Sequence, residues 1–140
     1  MDVFVYGILT EPERVAEVLD SFVFVGPATL TGLRLVEGRY PTLAPGGQTA
    51  GRLLRTDEVA ALDEYEGVED GLYLRENVPL DAPEGHPDRA AVYVGDPDRL
   101  DADATWPDDS ANRDQGFAEG VEAYLERADV RVRLTPENTV

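Results

Sequence analysis

The first hundred residues alternate short apolar runs with turns rich in glycine and proline. Residues 2–6 form an apolar run that ends at Gly7, which predicts a buried strand. Further strands are predicted at 22–25, 33–36, 49–55, 72–80 and 90–94, with a short extended piece at 40–43 and a turn at 45–47. Turns about every ten residues indicate a compact barrel or strongly curved sheet with flanking helices, an α+β fold.

The first helix is predicted directly after the opening strand. Thr10 is suited to cap it, Glu13 stands three residues later as the capping-box partner, and Pro12 is tolerated in the first turn. Apolar residues at helical spacing predict the buried face of this helix: Val15, Val18, Leu19 and Phe22. The chain is therefore expected to begin as a strand, a tight glycine turn and a helix.

Two more helices are predicted, over residues 56–65 and 113–128. Gly67 follows the second helix of the chain where a left-handed C-cap is expected. After the third helix, the tail from Asp129 is predicted to be an edge strand or frayed. Because no internal repeat or long linker divides the chain, residues 1–140 are expected to form one domain.

Residues 95–114 differ from the rest, since they form an acidic, proline-containing segment with Trp106 inside it. Such a segment is typical of a solvated surface loop. Calcium binding is the functional alternative for its aspartates. The spacing, however, lacks the glycine and the terminal glutamate of an EF-hand loop.

Charge narrows the classes of protein to which this chain can belong. It carries 29 acidic and 12 basic residues, all of the latter arginine, for a formal net charge of −17. A surface this acidic is repelled by nucleic acid and by anionic membranes. A hydrophobic fraction of 42% argues against the disorder that high charge otherwise suggests. The absence of lysine favours a halophilic protein, whose carboxylates stay hydrated while salt screens their repulsion.

The opening residues and the apolar runs bear on localisation. The chain opens with an acidic residue, without the basic stretch and the longer apolar stretch of a signal peptide. Its apolar runs are too short to span a membrane. The protein is therefore expected to be cytoplasmic.

The inventory of reactive side chains excludes several kinds of catalysis. The chain has no cysteine, and its one histidine, His86, lies in a turn between prolines and is expected to have no catalytic role. A histidine-based triad, a cysteine nucleophile and a histidine-ligated metal are thus unavailable. Phosphate-binding and dinucleotide-binding glycine motifs are also missing. An enzyme built from this chain would use carboxylates, tyrosines and backbone dipoles, with no metal or cofactor.

Two segments offer those groups. The turn Tyr6-Gly7-Ile8-Leu9 joins the first strand to the first helix, where outward backbone N–H groups favour a bound anion, although many such turns bind nothing. Glu66 falls at the C-terminal end of the second helix, where the helix dipole should raise the pKa of its carboxyl toward the range of a general base. Among 29 acidic residues, an ordinary surface carboxylate is the competing interpretation.

Three short motifs in order resemble the γ-glutamylcyclotransferase-like family, which includes γ-glutamylamine cyclotransferases and avirulence-induced plant proteins. They are Val5-Tyr6-Gly7-x-Leu9, Leu62-Asp63-x-x-Glu66-Gly67 and Tyr73-x-Arg75-x-x-Val78. Tyr40-Pro41 and Gly51 lie between the first two. The resemblance covers about residues 2–95.

The resemblance implies a small mixed-strand β-barrel with flanking helices around a cavity. In it, Tyr6, Gly7, Ile8 and Leu9 would bind a γ-glutamyl group, largely through backbone groups, and Tyr73 would line the pocket. Glu66 matches the catalytic glutamate. The α-amine of the substrate would attack its own γ-carbonyl, releasing 5-oxoproline and an amine, amino acid or peptide. Because the substrate carries the nucleophile, no cysteine, serine triad or metal is required.

Ile8 departs from the family, which usually has threonine or serine there, and this keeps other functions open. One is a non-catalytic small-molecule binding module on the same fold. Another is an interaction protein whose acidic loop 96–114 docks a basic partner. Arg75 is expected either to pair with a substrate carboxylate or to form a surface ion pair. The particular γ-glutamyl substrate and the oligomeric state are left open.

Overall fold

Six strands of the described chain close into a small barrel. The computed structural model describes residues 1–104, 106 and 117–135. The strands are β1 (Asp2–Val5), β2 (Val23–Val36), β3 (Thr42–Arg55), β4 (Tyr73–Asp81), β5 (Arg89–Gly95) and β6 (Arg131–Leu134). Their order around the barrel is β1-β3-β2-β6-β4-β5, and β5 pairs with β1 to close it. The β1–β5 and β4–β6 pairs are parallel and the others antiparallel, which confirms the mixed-strand barrel.

Helical segments flank this barrel. They are a 3-10 helix (Gly7–Thr10), α1 (Pro12–Val18), α2 (Val59–Glu66), α3 (Pro97–Leu100) and α4 (Phe117–Arg127). Residues 113–116, the predicted start of the third helix, lie outside the described residues. Among those that are described, no helix is both long and apolar enough to cross a membrane.

Apolar side chains pack on both faces of the first strand. Phe4 belongs to a cluster with Leu30, Leu53 and Val92, while the alternate residues Val3 and Val5 belong to a second cluster. The second cluster also holds residues from α1 and just after it, from α2, and from β4 and β5, namely Val15, Leu19, Leu62, Tyr73 and Tyr93. Because successive side chains of a strand point to opposite faces, this continuous apolar run buries both faces of β1.

The predicted capping box of the first helix is wrong. The Thr10 hydroxyl donates to the Gly7 carbonyl oxygen at 2.7 Å, and Glu11 takes the N-cap position without a side-chain hydrogen bond. The 3-10 helix uses Thr10 for its own turn, so this residue is not free to cap α1. The helix also ends earlier than predicted, at Val18, because Leu19 has an extended backbone.

The strands predicted at 22–25 and 33–36 are one continuous strand, β2, paired along its length with β3. Register shifts lie between Phe24 and Gly26 and between Thr31 and Leu33, next to the glycines that suggested breaks. The turn predicted at 45–47 is likewise wrong, since Pro45 pairs with Leu33 inside β3. The connection between the two strands is instead residues 37–41, which contain Tyr40 and Pro41.

Two predictions for the C-terminal third also need correction. The acidic segment after residue 95 begins with a helical turn, α3, capped by the Asp96 side chain, and Leu100 in that turn is fully buried. A wholly solvated loop is therefore wrong for its first part, and residues 105 and 107–116 lie outside the described residues. Within the tail from Asp129, β6 is neither frayed nor an edge, because it is paired with β2 on one side and β4 on the other, and residues 136–140 lie outside the described residues.

Candidate active site

A cavity of about 260 Å³ lies where β1, the 3-10 helix, the β2–β3 connection and the end of α2 meet. Its lining is mostly aromatic and aliphatic: Phe4, Val5, Tyr6, Leu9, Tyr40, Pro41, Tyr65, Glu66, Leu72, Tyr73 and Tyr93. Four of the residues singled out from the sequence, Tyr6, Leu9, Glu66 and Tyr73, therefore share one cavity. Gly7 and Ile8 lie between Tyr6 and Leu9 in the 3-10 helix.

Glu66 is the last residue of α2, and a glycine cap fixes where that helix ends. Gly67 has φ +70° and ψ +37°, a left-handed conformation, and its N–H donates to the carbonyl oxygens of Asp63 and Glu64. This confirms the predicted cap. The helix begins at Val59, later than predicted, and the carboxylate of Glu58 accepts from the Ser21 N–H at 2.6 Å.

Burial changes the acidity of Glu66. Withdrawal of its carboxyl from water raises the pKa from the ordinary 4.5 to about 7. The pKa shift has the direction predicted from the sequence. Its cause is different, because burial among aromatic side chains raises the pKa, whereas the helix dipole was the cause expected from the sequence. Near neutral pH the acid and the carboxylate are then present in comparable amounts, which suits a group that both accepts and donates a proton.

Two tyrosine hydroxyls of the cavity are held by backbone carbonyls. Tyr73 donates to the Pro41 oxygen at 2.6 Å, and Tyr6 donates to the Tyr93 oxygen at 2.6 Å. Burial raises the pKa of both hydroxyls well above the usual value, so they stay neutral. With its proton committed, each hydroxyl oxygen presents only lone pairs, which accept from a ligand ammonium or N–H group.

Arg52 holds the end of the 3-10 helix from the neighbouring strand. One of its guanidinium nitrogens donates to the Thr10 carbonyl oxygen at 2.9 Å, and the guanidinium lies 3.8 Å from the centre of the Phe24 ring. Gly7 itself has φ +65°, a conformation that glycine adopts without strain. Arg52 thus holds the far end of the turn that follows β1, and Gly7 allows its tight start.

Gly51 allows β3 to lie close against β1. A Cβ at this position would clash with the Val5 carbonyl oxygen and lie 2.7 Å from the Phe4 ring. Val5 directly precedes Tyr6, so the absence of a side chain at residue 51 lets the strand carry Tyr6 into the cavity. This gives a physical reason for the glycine noted between the first two motifs.

Arg75 forms an ion pair with Asp63, with Nη1 donating to Oδ2 at 2.6 Å. The other oxygen of Asp63 accepts from the Tyr93 hydroxyl at 2.7 Å. Of the two roles considered for Arg75, the structure shows the ion pair. Asp63 belongs to the second motif, but no role was predicted for it from the sequence. Tyr93 lies 30 residues further along the chain and belongs to none of the three motifs.

Other candidate chemistry lies elsewhere or is not found. His86 is at the surface, where its Nδ1 is 3.4 Å from Nη2 of Arg55. Arg55 also holds the buried carboxylate of Asp2 with two hydrogen bonds of 2.7 and 3.0 Å. Within the described part of the chain, no cluster of three or more histidine, aspartate or glutamate side chains is arranged to hold a metal ion.

Residues 3–111 match the family described as gamma-glutamyl cyclotransferase, AIG2-like, and the chain belongs to this family. AIG2-like protein C of Arabidopsis thaliana is 41% identical over an alignment of 76 positions, and the match covers 49% of this chain and 44% of the plant protein. The matching part thus spans less than half the length of that relative.

Solved structures show the same fold. An uncharacterized human protein superposes with a TM-score of 0.60 at 19% identity, over 99% of this chain and 90% of its own. A structure titled gamma-glutamyl cyclotransferase gives 0.59 at 18% identity, over 100% and 90%. At these identities the likeness establishes the barrel with its flanking helices.

Proposed function

We propose that this protein is a γ-glutamylcyclotransferase that uses Glu66 as its general acid and base. The observation that supports this most is the carboxyl of Glu66, which is partly buried in a cavity with Tyr6, Leu9 and Tyr73 and whose pKa is raised to about 7. The family match and the barrel agree with such a reaction. Among the described residues that line the cavity, the ionisable groups are this carboxyl and tyrosine hydroxyls.

The proposed reaction is an intramolecular aminolysis. The α-nitrogen of the γ-glutamyl group bonds to its own γ-carbonyl carbon, and the bond from that carbon to the leaving nitrogen breaks. The α-ammonium gives up two protons and the leaving nitrogen gains two, so 5-oxoproline and a protonated amine result. Glu66 would carry these protons one at a time. The enzyme's main contribution is a near-attack geometry, since nucleophile and electrophile belong to one molecule.

The lining also favours one class of leaving group. No arginine is among the described residues that line the cavity, and Glu66 is their only acidic member. A carboxylate on the leaving group would therefore be buried beside another carboxylate without a counter-ion, which is unfavourable. We propose γ-glutamyl amines without a leaving-group carboxylate as preferred substrates. The α-carboxylate of the glutamyl group would contact backbone N–H groups of residues 6–9.

Release of 5-oxoproline from matched substrates tests this function. The panel pairs each γ-glutamyl amine with the γ-glutamyl amino acid that differs only by a carboxylate. Glu66→Gln keeps the shape but removes the base, and we expect it to lower kcat by about 100-fold or more. Glu64→Gln is the control, because Glu64 is an exposed carboxylate on the same helix. Full activity of Glu66→Gln would refute the role of this residue.

Binding without turnover is a second candidate function, favoured by Ile8 at a position where the family usually has a hydroxyl. Isothermal titration of γ-glutamyl amines, together with the 5-oxoproline assay, separates the two functions. Affinity with no product would support the binding module. Product formation that Glu66→Gln abolishes would support the enzyme.

A further inference from the structure

Asp63 uses both carboxylate oxygens to hold α2 against the barrel. Its Oδ1 accepts from the Tyr93 hydroxyl on β5, and its Oδ2 accepts from Arg75 on β4. The Asp63 side chain is 26% exposed and the Arg75 side chain is 33% exposed. The partly buried setting makes these charge-assisted bonds stronger than those of an exposed pair.

The main chain of Asp63 holds the turn of helix that carries Glu66. Its carbonyl oxygen accepts from the Gly67 N–H and, at 3.0 Å, from the Val68 N–H. These bonds cap the last turn of α2, which carries Glu66 at the cavity. A single residue thus joins the last turn of α2 to two strands.

Tyr93 continues this connection to Tyr6, which also lines the cavity. Its side chain donates to Asp63, while its carbonyl oxygen accepts from the Tyr6 hydroxyl at 2.6 Å. Tyr73 is anchored separately, to Pro41. The position of Glu66 relative to Tyr6 is therefore set by the Asp63–Tyr93 pair, one residue on the helix and one on the strand.

We propose that Asp63 is a positioning residue that, through Tyr93 and Arg75, holds the Glu66 carboxylate at the distance from the cavity wall that proton transfer requires. This inference rests on the proposed function. Loss of the link would leave Glu66 present but let the end of α2 move outward toward water. A displacement of about 1 Å lowers such rates by about 100-fold.

Three single substitutions test this role. Asp63→Asn removes the charge and keeps the shape, and Tyr93→Phe removes only the hydroxyl. Tyr124→Phe is the matched control. The Tyr124 hydroxyl is also partly buried, and it donates to the Gly32 carbonyl oxygen at 2.7 Å. Tyr124 does not line this cavity. All three are expected to lower the melting temperature.

Only the first two are expected to change the chemistry. Asp63→Asn and Tyr93→Phe should lower kcat by about 10- to 100-fold while KM changes much less. They should also lower the pKa of Glu66 by about one unit as its carboxyl becomes more hydrated, measured by carboxyl carbon NMR and by the pH profile of kcat. Tyr124→Phe should leave kcat and this pKa unchanged.

Unchanged kcat and an unchanged Glu66 titration in both variants would overturn the inference. Equal changes in Tyr124→Phe would overturn it as well, since they would show a general loss of stability. The NMR titration requires no turnover. If the wild-type protein forms no 5-oxoproline, the proposed function fails, and the titration still decides whether Asp63 and Tyr93 position Glu66.

Discussion

At the scale of single residues, surroundings set Glu66 apart from most of the 29 acidic side chains. Burial also raises the pKa of Glu76 to about 7, but Glu76 does not line the cavity. Glu66 lies among aromatic rings that withdraw it from water, whereas Glu64, two residues earlier, is exposed. Desolvation penalises the charged form, so keeping Glu66 ionised above pH 7 weakens the folded state. The same burial that suits the residue to proton transfer is thus unfavourable for stability.

Glu66→Gln is therefore expected to stabilise the protein in a pH-dependent way. Between about pH 4.5 and 7 the folded state holds a proton that the unfolded state has lost, so stability falls as pH rises through this window. Glutamine stays neutral and avoids that loss. We compare the free energies of unfolding of the variant and the wild type, measured with urea. We expect the difference in favour of the variant to be about 1–3 kcal/mol larger at pH 8 than at pH 4.5. The same gain at both pH values, or an equal pH dependence in Glu64→Gln, would contradict this explanation.

Gly51 tests how closely β3 must approach β1. Gly51→Ala places a Cβ against the Val5 carbonyl and the Phe4 ring, so we expect destabilisation of about 1–3 kcal/mol and weaker substrate binding as Tyr6 shifts. Gly26→Ala is the control, since its Cβ would meet only Leu134, at an ordinary 3.5 Å. Urea midpoints and KM measure the two effects. A stability change no larger than that of Gly26→Ala would show that the strands can separate without penalty.

At the scale of elements, the end of α2 matters most for the site. Gly67→Ala forces a side chain into the left-handed region, which is unfavourable by about 1–2 kcal/mol, and brings its Cβ within 3.2 Å of Leu72. We expect lower stability and lower kcat, because Glu66 lies in the turn that must adjust. Gly85→Ala has a similar backbone strain at φ +97° but open space around it, so it should lower stability and leave kcat unchanged. Equal kcat in both variants would refute the link between the cap and Glu66.

Local patterns in the sequence predicted the elements whose signals are local. The first strand, α2 with its glycine cap, β4 and β5 lie within a few residues of their predicted positions. Closure of the barrel depends on contacts between distant segments. The pairing of β6 with both β2 and β4 joins residues about 50 to 100 positions apart, and nothing in a four-residue run specifies it.

The candidate site also has one part that local motifs predicted and another that depends on contacts between distant segments. Tyr6, Glu66 and Tyr73 were singled out because they lie in short motifs, and the structure places them around one cavity. The Asp63–Tyr93 bond joins a helix to a strand 30 residues later, and only the fold brings the two side chains together. The cause of the Glu66 pKa shift was missed for the same reason, since burial is a property of the assembled cavity.

At the scale of the whole molecule, charge dominates the surface. Even if each of the 12 arginines paired with one acid, 17 carboxylates would remain without a partner. Some arginines are also committed to particular contacts, such as Arg55 to Asp2 and Arg131 to Asp81. Repulsion among the remaining carboxylates opposes the compact state and is relieved by salt. From this balance of charge we propose that the protein is halophilic.

We therefore expect the melting temperature to rise substantially between about 0.1 M and 1 M NaCl, as the screening length falls from about 10 Å to about 3 Å. A variant with Glu37, Glu84 and Glu119 changed to glutamine is the control. These side chains are exposed, and their replacement reduces the net charge from 17 to 17 − 3 = 14 negative. It should melt higher than wild type at low salt and gain less from added salt. Because general salting-out would act on both proteins alike, parallel curves would contradict a role for charge repulsion.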